Sequence, residues 1–422
     1  MYEASLRFLL YSHDTYGLGH IRRTLSIAWG LAAAFPRASF LCITGSARAH
    51  SFAFPQRTDF LRLPAVTKDG AGRYTPLELG ISFSKILAVR AAAIEAATLA
   101  YAPHLILVDH APLGMAGELI SALHHARAER PSTRIVLGLR DIYDEGSLVR
   151  ESWPREGIPA MLERVYDRIL VYGQQEVFDV ASEYSLDPGV ARKIVYTGYV
   201  YRQEPAREPA ETIRSQIGGG TGPLVLAMVG GGGDGHSMVQ SYLQGIAAMG
   251  STCPWRSLVV TGPLMSAWWK KLATEAAHSL PSVRLVDFTP NLRDYIALAD
   301  VVLTMGGYNS LVEALALGKR VVVVPRFKPR KEQLVRAERF ARLGLIRCVD
   351  PRHSTPQDLV GSVKQALSAA PHHLAELDFG GIGRAVKEIA DLLGETRAPA
   401  AMRESLAREL KATSSQRTSS AT

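Results

Sequence analysis

Short runs of apolar residues alternate with longer amphipathic stretches along the chain. In the first half these runs fall at residues 6–11, 40–44, 105–109, 135–139 and 168–172. After residue 222 the rhythm restarts, with runs at residues 224–229, 257–261, 283–288, 300–304 and 320–324. Strands that alternate with helical stretches indicate crossover connections and a parallel sheet covered by helices on both faces. The pattern therefore predicts an α/β chain with two doubly wound, Rossmann-like domains that face each other across a cleft.

The break between the two series predicts the domain boundaries. Residues 198–222 contain prolines, glycines and mixed charges, which are typical of a linker. We therefore expect a first domain at residues 1–197 and a second at residues 223–394. The Ser- and Thr-rich residues 395–422 are expected to form a disordered tail. Ligands of open α/β sheets bind at the carboxyl ends of the strands, so the chemistry is expected in the cleft between the domains.

Composition narrows the class of protein. Of the 422 residues, 47% are hydrophobic and 21% are charged, which argues against a disordered or fibrous chain. The formal net charge of +8 indicates an anionic partner, and the eight basic and two acidic residues from Arg326 to Arg347 hold +6 of it. No nucleic-acid reader motif or aromatic–basic interleaving accompanies this charge, so nucleic acid is not expected as a partner. We expect the basic segment to favour a diphosphate donor or an anionic acceptor at one edge of the cleft.

Cysteine usage and hydropathy bear on the compartment. The three cysteines are far apart and follow neither metal-ligand spacing nor a disulfide framework. No apolar run reaches the roughly 18 residues of a membrane span, so we expect a cytoplasmic protein. Residues 77–102 are apolar with Lys85 and Arg90 among them. A buried core helix is the commoner meaning of such a stretch, and peripheral contact with the inner face of the membrane stays open as the alternative.

The first candidate site follows the first strand. Gly17 and Gly19 allow a tight turn, and a helix that starts near His20 would aim its N–H groups and positive dipole end into the cleft. The near-neutral pKa of an imidazole makes His20 a candidate general base. Asp109, at the carboxyl end of a strand, is a candidate to orient it. Helix and turn capping are the structural alternatives for these two residues, and the rival catalytic candidates are His13, Asp14 and His110.

A second glycine loop opens the second domain. Gly230 to Gly233 lie between a strand and a helix, so their backbone amides can approach a phosphate closely. Within this loop Gly231 and Gly232 are the candidate binding residues. The sequence GK[ST] of a P-loop is absent here, and the first loop lacks the third glycine of a dinucleotide fingerprint. A Walker-type ATPase and an NAD-dependent enzyme are therefore not favoured.

The third candidate segment spans residues 300–344. Gly306 and Gly307 make the turn after a strand, Asn309 or Ser310 can cap the next helix, and Glu313 follows in its first turn. Amides at a helix start can hold a diphosphate, and a carboxylate one turn further on can accept hydrogen bonds from a ribose diol. After the next strand, Glu332 and Gln333 open another helix and offer partners for sugar hydroxyls. The structural alternatives are helix capping for Glu313 and ordinary helix surface for Glu332 and Gln333.

The segment MGGYNSLVE, residues 305–313, resembles the donor-binding segment of GT-B glycosyltransferases. It is similar in particular to the family 28 enzymes, which include the lipid-linked N-acetylglucosaminyl transferase of peptidoglycan synthesis, and to the HCGWNS-x-x-E box of the plant-type transferases. Both glycine loops occur in the order that this resemblance requires. Met305 replaces the phosphate-binding histidine of the plant-type box, and Arg320 stands where that box usually has proline.

The resemblance implies a role for each candidate residue. The diphosphate and donor pocket would be lined by Gly19, Gly231, Gly232, Gly306, Gly307, Asn309 and Ser310. Glu313 would bind the ribose, Glu332 and Gln333 the transferred sugar, and His20 would activate the acceptor.

The resemblance also implies the reaction, which is inverting transfer of a hexosyl group from a nucleoside-diphosphate sugar, with a UDP-sugar favoured. The acceptor would be a hydroxyl group of a lipid-linked or small molecule. The chain contains no Asp-x-Asp sequence, so we expect no metal and no cofactor besides the donor substrate. One alternative is a sugar-nucleotide epimerase or hydrolase of the same fold, with Asp141, Asp144 and Glu145 facing the donor. The other is a non-catalytic sugar-nucleotide-binding protein.

Overall fold

Two parallel sheets organise the chain in the computed structural model, which describes residues 6–14, 17–68, 73–217, 222–289, 291–369 and 377–394. Helices lie on both faces of each sheet, which confirms the predicted α/β class with two Rossmann-like sheets. Each of the ten apolar runs coincides with a strand to within a residue or two. The predicted tail at residues 395–422 lies outside the described residues.

The first sheet has seven strands in the order β3-β2-β1-β6-β7-β8-β9. The strands of this half are β1 (Arg7–Ser12), β2 (Ser39–Thr44), β3 (Thr58–Arg62), β4 (Val66–Lys68), β5 (Tyr74–Pro76), β6 (Leu105–Asp109), β7 (Arg134–Arg140), β8 (Arg168–Tyr172) and β9 (Ile194–Tyr196). Strands β4 and β5 form a separate antiparallel hairpin. The helices are α1 (Gly19–Ala34), α2 (Phe83–Tyr101), α3 (Ile120–Glu129), α4 (Gly146–Glu156), α5 (Ile158–Arg164), α6 (Val180–Glu183) and α7 (Pro188–Ala191).

The central strands are apolar at successive positions between their ends because both faces of the sheet are covered. In β1, Phe8 and Leu10 belong to one hydrophobic core, and Leu9 and Tyr11 belong to the core on the other face. Successive side chains of a strand point to opposite faces, so a strand between two helical layers must be apolar throughout.

The second sheet has six strands in the order β12-β11-β10-β13-β14-β15. Its strands are β10 (Leu224–Met228), β11 (Arg256–Val260), β12 (Val283–Val286), β13 (Val301–Thr304), β14 (Arg320–Val323) and β15 (Arg347–Cys348). The helices are α8 (Ala210–Gln216), α9 (His236–Met249), α10 (Ala267–His278), α11 (Leu292–Leu298), α12 (Tyr308–Ala316), α13 (Glu332–Arg342), α14 (Pro356–Ser368) and α15 (Gly381–Leu392). Short 3-10 turns occur at Ala49–Ser51, Met115–Gly117 and Gly250–Thr252.

The last helix returns to the first domain. Helix α15 packs on α1, where a Cβ atom at Gly30 would lie 2.5 Å from Cγ2 of Ile382. Gly30 therefore permits the close approach of these two helices. The domain boundaries at residues 197, 222 and 394 stay predictions, and helix α8 lies within the segment that the sequence predicts to be a linker.

The apolar stretch at residues 77–102 forms α2 and the segment before it. Leu77, Leu79 and Ile81 are exposed. Arg90 is buried in an ion pair with Glu118, at 2.6 Å. A buried arginine cannot contact a lipid headgroup, so Arg90 gives no support to peripheral membrane contact, which stays a prediction. In the described part of the chain, no helix combines the length and the apolar character needed to cross a bilayer.

Candidate functional site

His20 and Asp109 form a hydrogen-bonded pair at the carboxyl edge of the first sheet. His20 is the second residue of α1, and its Nδ1 lies 2.6 Å from Oδ2 of Asp109, the last residue of β6. Asp109 is buried and also accepts hydrogen bonds from Nε and Nη2 of Arg23, at 2.9 and 2.8 Å. His20 and Arg23 are three residues apart on α1 and therefore share one helix face. The pair becomes possible because β1 and β6 are neighbours in the sheet.

The electrostatics of this pair favour a neutral imidazole beside an ionised carboxylate. Burial by itself raises the pKa of Asp109, but the charge of Arg23 and the contact with His20 outweigh it, so this pKa lies below its ordinary value. Burial lowers the pKa of His20, and the opposing effect of Asp109 does not fully restore it. With the Nδ1–H group donated to Asp109, Nε2 carries the lone pair that a general base needs.

Two further histidines flank His20. The ring centroids of His13 and His110 each lie 5.4 Å from that of His20. His110 has φ of +66°, in the left-handed region where non-glycine residues are uncommon, and its Nε2 accepts a 2.9 Å hydrogen bond from Nη2 of Arg140. Burial and the nearby Arg140 lower the pKa of His110 well below its ordinary value. The rival catalytic candidates His13 and His110 therefore lie in one cluster with His20.

Asp14, another rival candidate, holds the start of α1. Its Oδ1 accepts the backbone N–H of Ile21 at 3.1 Å, and its Oδ2 accepts the hydroxyl of Thr44 at 2.6 Å. Burial raises the pKa of this carboxyl above its ordinary value. These contacts favour a structural role for Asp14 in fixing the loop that precedes His20.

The three glycine segments converge. Asn309, in the first turn of α12, donates from Nδ2 to the carbonyl oxygen of Gly19 across the cleft, at 2.8 Å. A Cβ atom at Gly231 would lie 3.4 Å from Cα of Gly17, and one at Gly230 would lie 3.9 Å from Oγ of Ser310. The backbones of the two domains therefore meet at the starts of α1, α9 and α12, where the N-terminal dipole ends also meet.

Two glycines in this region are required by the backbone. Gly232 has φ of +92°, and a Cβ atom there would lie 2.1 Å from the carbonyl oxygen of Thr261. Gly306 has φ of +78°, and a Cβ atom there would lie 2.8 Å from Cγ1 of Val323. Gly307, directly before α12, has open space around it. Met305, where the plant-type box has histidine, is buried in the core of the second domain.

Glu313 lies in α12 and faces the first domain. Its carboxylate is largely buried and lies 3.3 Å from Nη2 of Arg22 on α1. The structure therefore brings the predicted ribose-binding carboxylate to the same interface as His20.

The start of α13 holds the two residues predicted to bind the sugar. Glu332 is buried, Oε1 pairs with Arg326, and Oε2 has no hydrogen-bond partner in the described part of the chain. Burial raises the pKa of Glu332, but nearby arginines, Arg326 foremost, outweigh it and bring the pKa below its ordinary value. The side-chain carbonyl of Gln333 accepts the backbone N–H of Arg326 at 3.2 Å, which leaves its amide to donate. An unsatisfied buried carboxylate oxygen is costly unless a ligand donates to it.

The basic segment from Arg326 to Arg347 does not act as the free positive surface that the sequence suggested. Helix α13 and the residue before it make three ion pairs with the first domain, namely Lys331 with Glu145, Arg336 with Asp141 and Arg339 with Glu183. Arg336 and Asp141 are fully buried. Much of the predicted field is therefore neutralised, because these cations hold the two domains together.

The same contacts count against the carboxylates of the epimerase alternative. Asp141 is bound to Arg336, Asp144 accepts the backbone N–H of Lys331 at 2.8 Å, and Glu145 pairs with the side chain of Lys331. All three side chains face α13 and the residue before it.

Sequence reasoning missed the arginines of the site. It assigned no role to Arg22 or Arg23, although the spacing of His20 and Arg23 places them on one helix face. Arg140 carried no signal, and Arg336 was counted only as part of the basic segment, because their partners come from distant parts of the chain.

Comparisons with known proteins agree with this architecture. Residues 260–392 match the Glycosyltransferase family 28 C-terminal domain. A glycosyltransferase of Methanopyrus kandleri, itself described as uncharacterized, is 25% identical over 261 residues, which are 61% of this chain and 69% of that protein. The UDP-N-acetylglucosamine--N-acetylmuramyl-(pentapeptide) pyrophosphoryl-undecaprenol N-acetylglucosamine transferase of Solidesulfovibrio magneticus is 31% identical over 118 residues, 28% of this chain and 32% of that enzyme. The similarity to this transferase thus spans only a third of its length.

Solved structures show the fold. The calicheamicin glycosyltransferase CalG4 superposes with a TM-score of 0.58 at 18% identity, over 93% of this chain and 99% of its own. A UDP-glucosyltransferase from Polygonum tinctorium gives a TM-score of 0.62 at 13% identity, over 92% of this chain and 99% of its own. The UDP-GlcNAc 2-epimerase of Neisseria meningitidis gives a TM-score of 0.58 at 13% identity, over 93% of this chain and 100% of its own. The chain therefore has the GT-B fold, and its residues 260–392 match the Glycosyltransferase family 28 C-terminal domain.

Proposed function

We propose that the protein transfers a hexosyl group from a nucleoside-diphosphate sugar, with a UDP-sugar favoured, to an acceptor hydroxyl, with inversion and without a metal ion. The observation that carries the proposal is the hydrogen-bonded pair of His20 and Asp109. It lies beside the point where the helix starts of both domains meet, since Gly19 directly precedes His20 and contacts Asn309. A base and an anion-binding helix start in one cleft are the two parts that the reaction requires.

In this mechanism the acceptor oxygen attacks the anomeric carbon from the face opposite the diphosphate. Nε2 of His20 takes the hydroxyl proton as the new bond forms. The bond from the anomeric carbon to the leaving oxygen breaks, and its electron pair leaves with the nucleoside diphosphate. Amides at the start of α12 stabilise the charge of that group, and Asp109 stabilises the imidazolium.

Two carboxylates of the second domain would recognise the donor. Glu313 is placed to accept hydrogen bonds from a ribose diol, which would replace its contact with Arg22. The buried Oε2 of Glu332 would accept a hydroxyl of the transferred sugar, and the amide of Gln333 would donate to another. A sugar hydroxyl would satisfy the buried oxygen of Glu332, which supports a role in sugar recognition.

We propose a lipid-linked acceptor, with a small molecule as the alternative. The transferase of Solidesulfovibrio magneticus acts, by its name, on a pyrophosphoryl-undecaprenol. In this chain, Leu77, Leu79 and Ile81 are exposed at alternate positions before α2, and Lys85 in the first turn of α2 is also exposed. An exposed apolar segment next to a cation suits peripheral contact with an anionic membrane surface.

Ligand binding and turnover together test the proposal. Thermal unfolding is measured with UDP, GDP, dTDP and their sugars, because a ligand at 100 times its Kd adds about 2.7 kcal/mol of stability. We expect the largest shift with a UDP-sugar, and transfer that is unchanged when EDTA is added. The absence of a shift with every nucleotide would contradict the proposal. Formation of an epimer or of free sugar without an acceptor would favour the epimerase or hydrolase alternative, and binding without turnover on a wide acceptor panel would favour the non-catalytic one.

A further inference from the structure

Two arginines in the wall of the cleft have no carboxylate partner. Arg140 ends β7, and its Nη2 donates a hydrogen bond to Nε2 of His110 at 2.9 Å. Its Nη1 group makes no hydrogen bond in the described part of the chain. Arg330, directly before Lys331, stacks over the ring of Tyr143, with its guanidinium carbon 5.2 Å from the centroid. Neither guanidinium forms an ion pair with another described residue.

A chain of ring contacts connects these two arginines and leads to the candidate base. The ring of Tyr143 lies 4.6 Å from that of His110, and His110 lies 5.4 Å from His20. The contacts therefore run from Arg330 to Tyr143, then to His110 and then to His20. Arg140 is hydrogen-bonded to His110. Arg140 belongs to the first domain, and Arg330 reaches the same rings from the loop before α13.

The neighbouring arginines, in contrast, are neutralised. Arg23 pairs with Asp109, Arg336 with Asp141, and Arg326 with Asp234 and Glu332. Arg140 and Arg330 are half-buried, and a guanidinium group that is partly removed from water is normally paired with a counter-ion. Burial and the surrounding arginines lower the pKa of Arg140 to about 10, although the charge of Glu332 opposes them.

We propose that Arg140 and Arg330 form a phosphate-binding site for a phosphate or diphosphate group carried by the acceptor. The planar guanidinium fork matches phosphate oxygens, and two such groups suit a dianion. The acceptor is the source that the geometry favours, because the proposed donor diphosphate lies at the start of α12, whereas Arg140 lies at the end of β7 and contacts His110 beside His20. This assignment to the acceptor rests on the proposed function, whereas the site itself does not.

Calorimetric titration with inorganic pyrophosphate tests the site, using the full chain in the presence and absence of saturating UDP. The variants are Arg140→Gln and Arg330→Gln, and Arg342→Gln is the control, because it removes the same charge from an exposed position of α13. We expect each of the first two variants to bind pyrophosphate at least about tenfold more weakly than the wild type. The control is expected to bind like the wild type, and saturating UDP is expected to leave the affinity unchanged. Circular dichroism shows whether Arg140→Gln folds, and Arg330→Gln, which lies in a loop, provides a second variant.

Each other outcome has a defined meaning. Equal pyrophosphate affinity in all variants, or no binding by the wild type, overturns the site. Displacement of pyrophosphate by UDP, with weaker UDP binding in the same two variants, overturns the assignment to the acceptor. If the chain binds pyrophosphate through Arg140 and Arg330 but binds no nucleotide, the phosphate site is supported and the proposed donor is contradicted.

Discussion

Nδ1 of His20 lies 2.6 Å from Oδ2 of Asp109. His20 is near the start of α1, which follows β1, and Asp109 ends the neighbouring strand β6. Arg23 holds the other side of the same carboxylate. Because Asp109 is buried and paired on both sides, it can fix one orientation and one tautomer of the imidazole. The proposed acceptor base is therefore held in place before any substrate binds.

Replacement of His20 is expected to separate binding from chemistry. In His20→Ala, transfer should fall about 100-fold to 10,000-fold, because the proposed general base for the acceptor proton is removed. The affinity for UDP should stay within a factor of about two, since His20 is not assigned a donor contact. Initial rates and UDP titrations measure the two effects. His124→Ala, at an exposed position of α3, is the control, and undiminished transfer by His20→Ala would remove His20 from its role.

The pH dependence of transfer reports on the same pair. Burial lowers the pKa of His20, so the imidazole stays neutral to lower pH than an exposed one. The acid limb of kcat/KM is therefore expected below the ordinary histidine value of about 6.5. In Asp109→Asn the carboxylate that raises this pKa is absent, so the limb should move to still lower pH while the maximal rate falls. A pH–rate profile for both proteins tests this, and a limb above pH 7 in the wild type would contradict it.

Glu313 is expected to control nucleotide affinity. Loss of its charge in Glu313→Gln should weaken UDP binding about tenfold or more, because hydrogen bonds to an ionised carboxylate are stronger than those to an amide. Calorimetric titration with UDP measures the change. Glu338→Gln, exposed on α13, is the matched control and should bind UDP like the wild type. Equal UDP affinity in both variants would show that Glu313 contacts Arg22 but does not bind the nucleotide.

Glu332 is expected to distinguish the sugar from the nucleotide. In Glu332→Gln, affinity for the UDP-sugar should fall about tenfold or more, while affinity for UDP should stay nearly constant, because Oε2 is assigned to a sugar hydroxyl. Parallel titrations with the two ligands measure the difference. If both affinities fell together, Glu332 would act through Arg326 on the loop and not on the sugar.

The contact between Arg336 and Asp141 is expected to dominate the cohesion of the domains. Removing one partner of a fully buried pair leaves an uncompensated charge, so Asp141→Asn should lower the free energy of unfolding by about 3–5 kcal/mol. Denaturant unfolding measures this. Glu151→Gln breaks the exposed pair with Arg155 and should change stability by no more than about 0.5 kcal/mol. A similar small loss in Asp141→Asn would show that water reaches Arg336.

Much of the fold follows from local patterning. The ten apolar runs predict strands because a strand covered on both faces must be apolar at successive positions, as Phe8 and Leu9 in β1 illustrate. Short strands such as β9 and β15 were not predicted. They have only three and two residues, all of intermediate exposure, so they lack a long continuous apolar pattern.

The sequence by itself also determined which segments carry glycines at the ends of strands and which polar residues follow them. His20, Glu313 and Glu332 were named on that basis. Only the tertiary structure decided their partners. The distance between His20 and Asp109 depends on β1 and β6 being neighbours, and the cations of α13 meet Asp141 and Glu183 only because the two domains pack together. Periodicity reports which face of an element is buried, whereas ion pairs between residues far apart in the chain depend on how the elements are arranged in space.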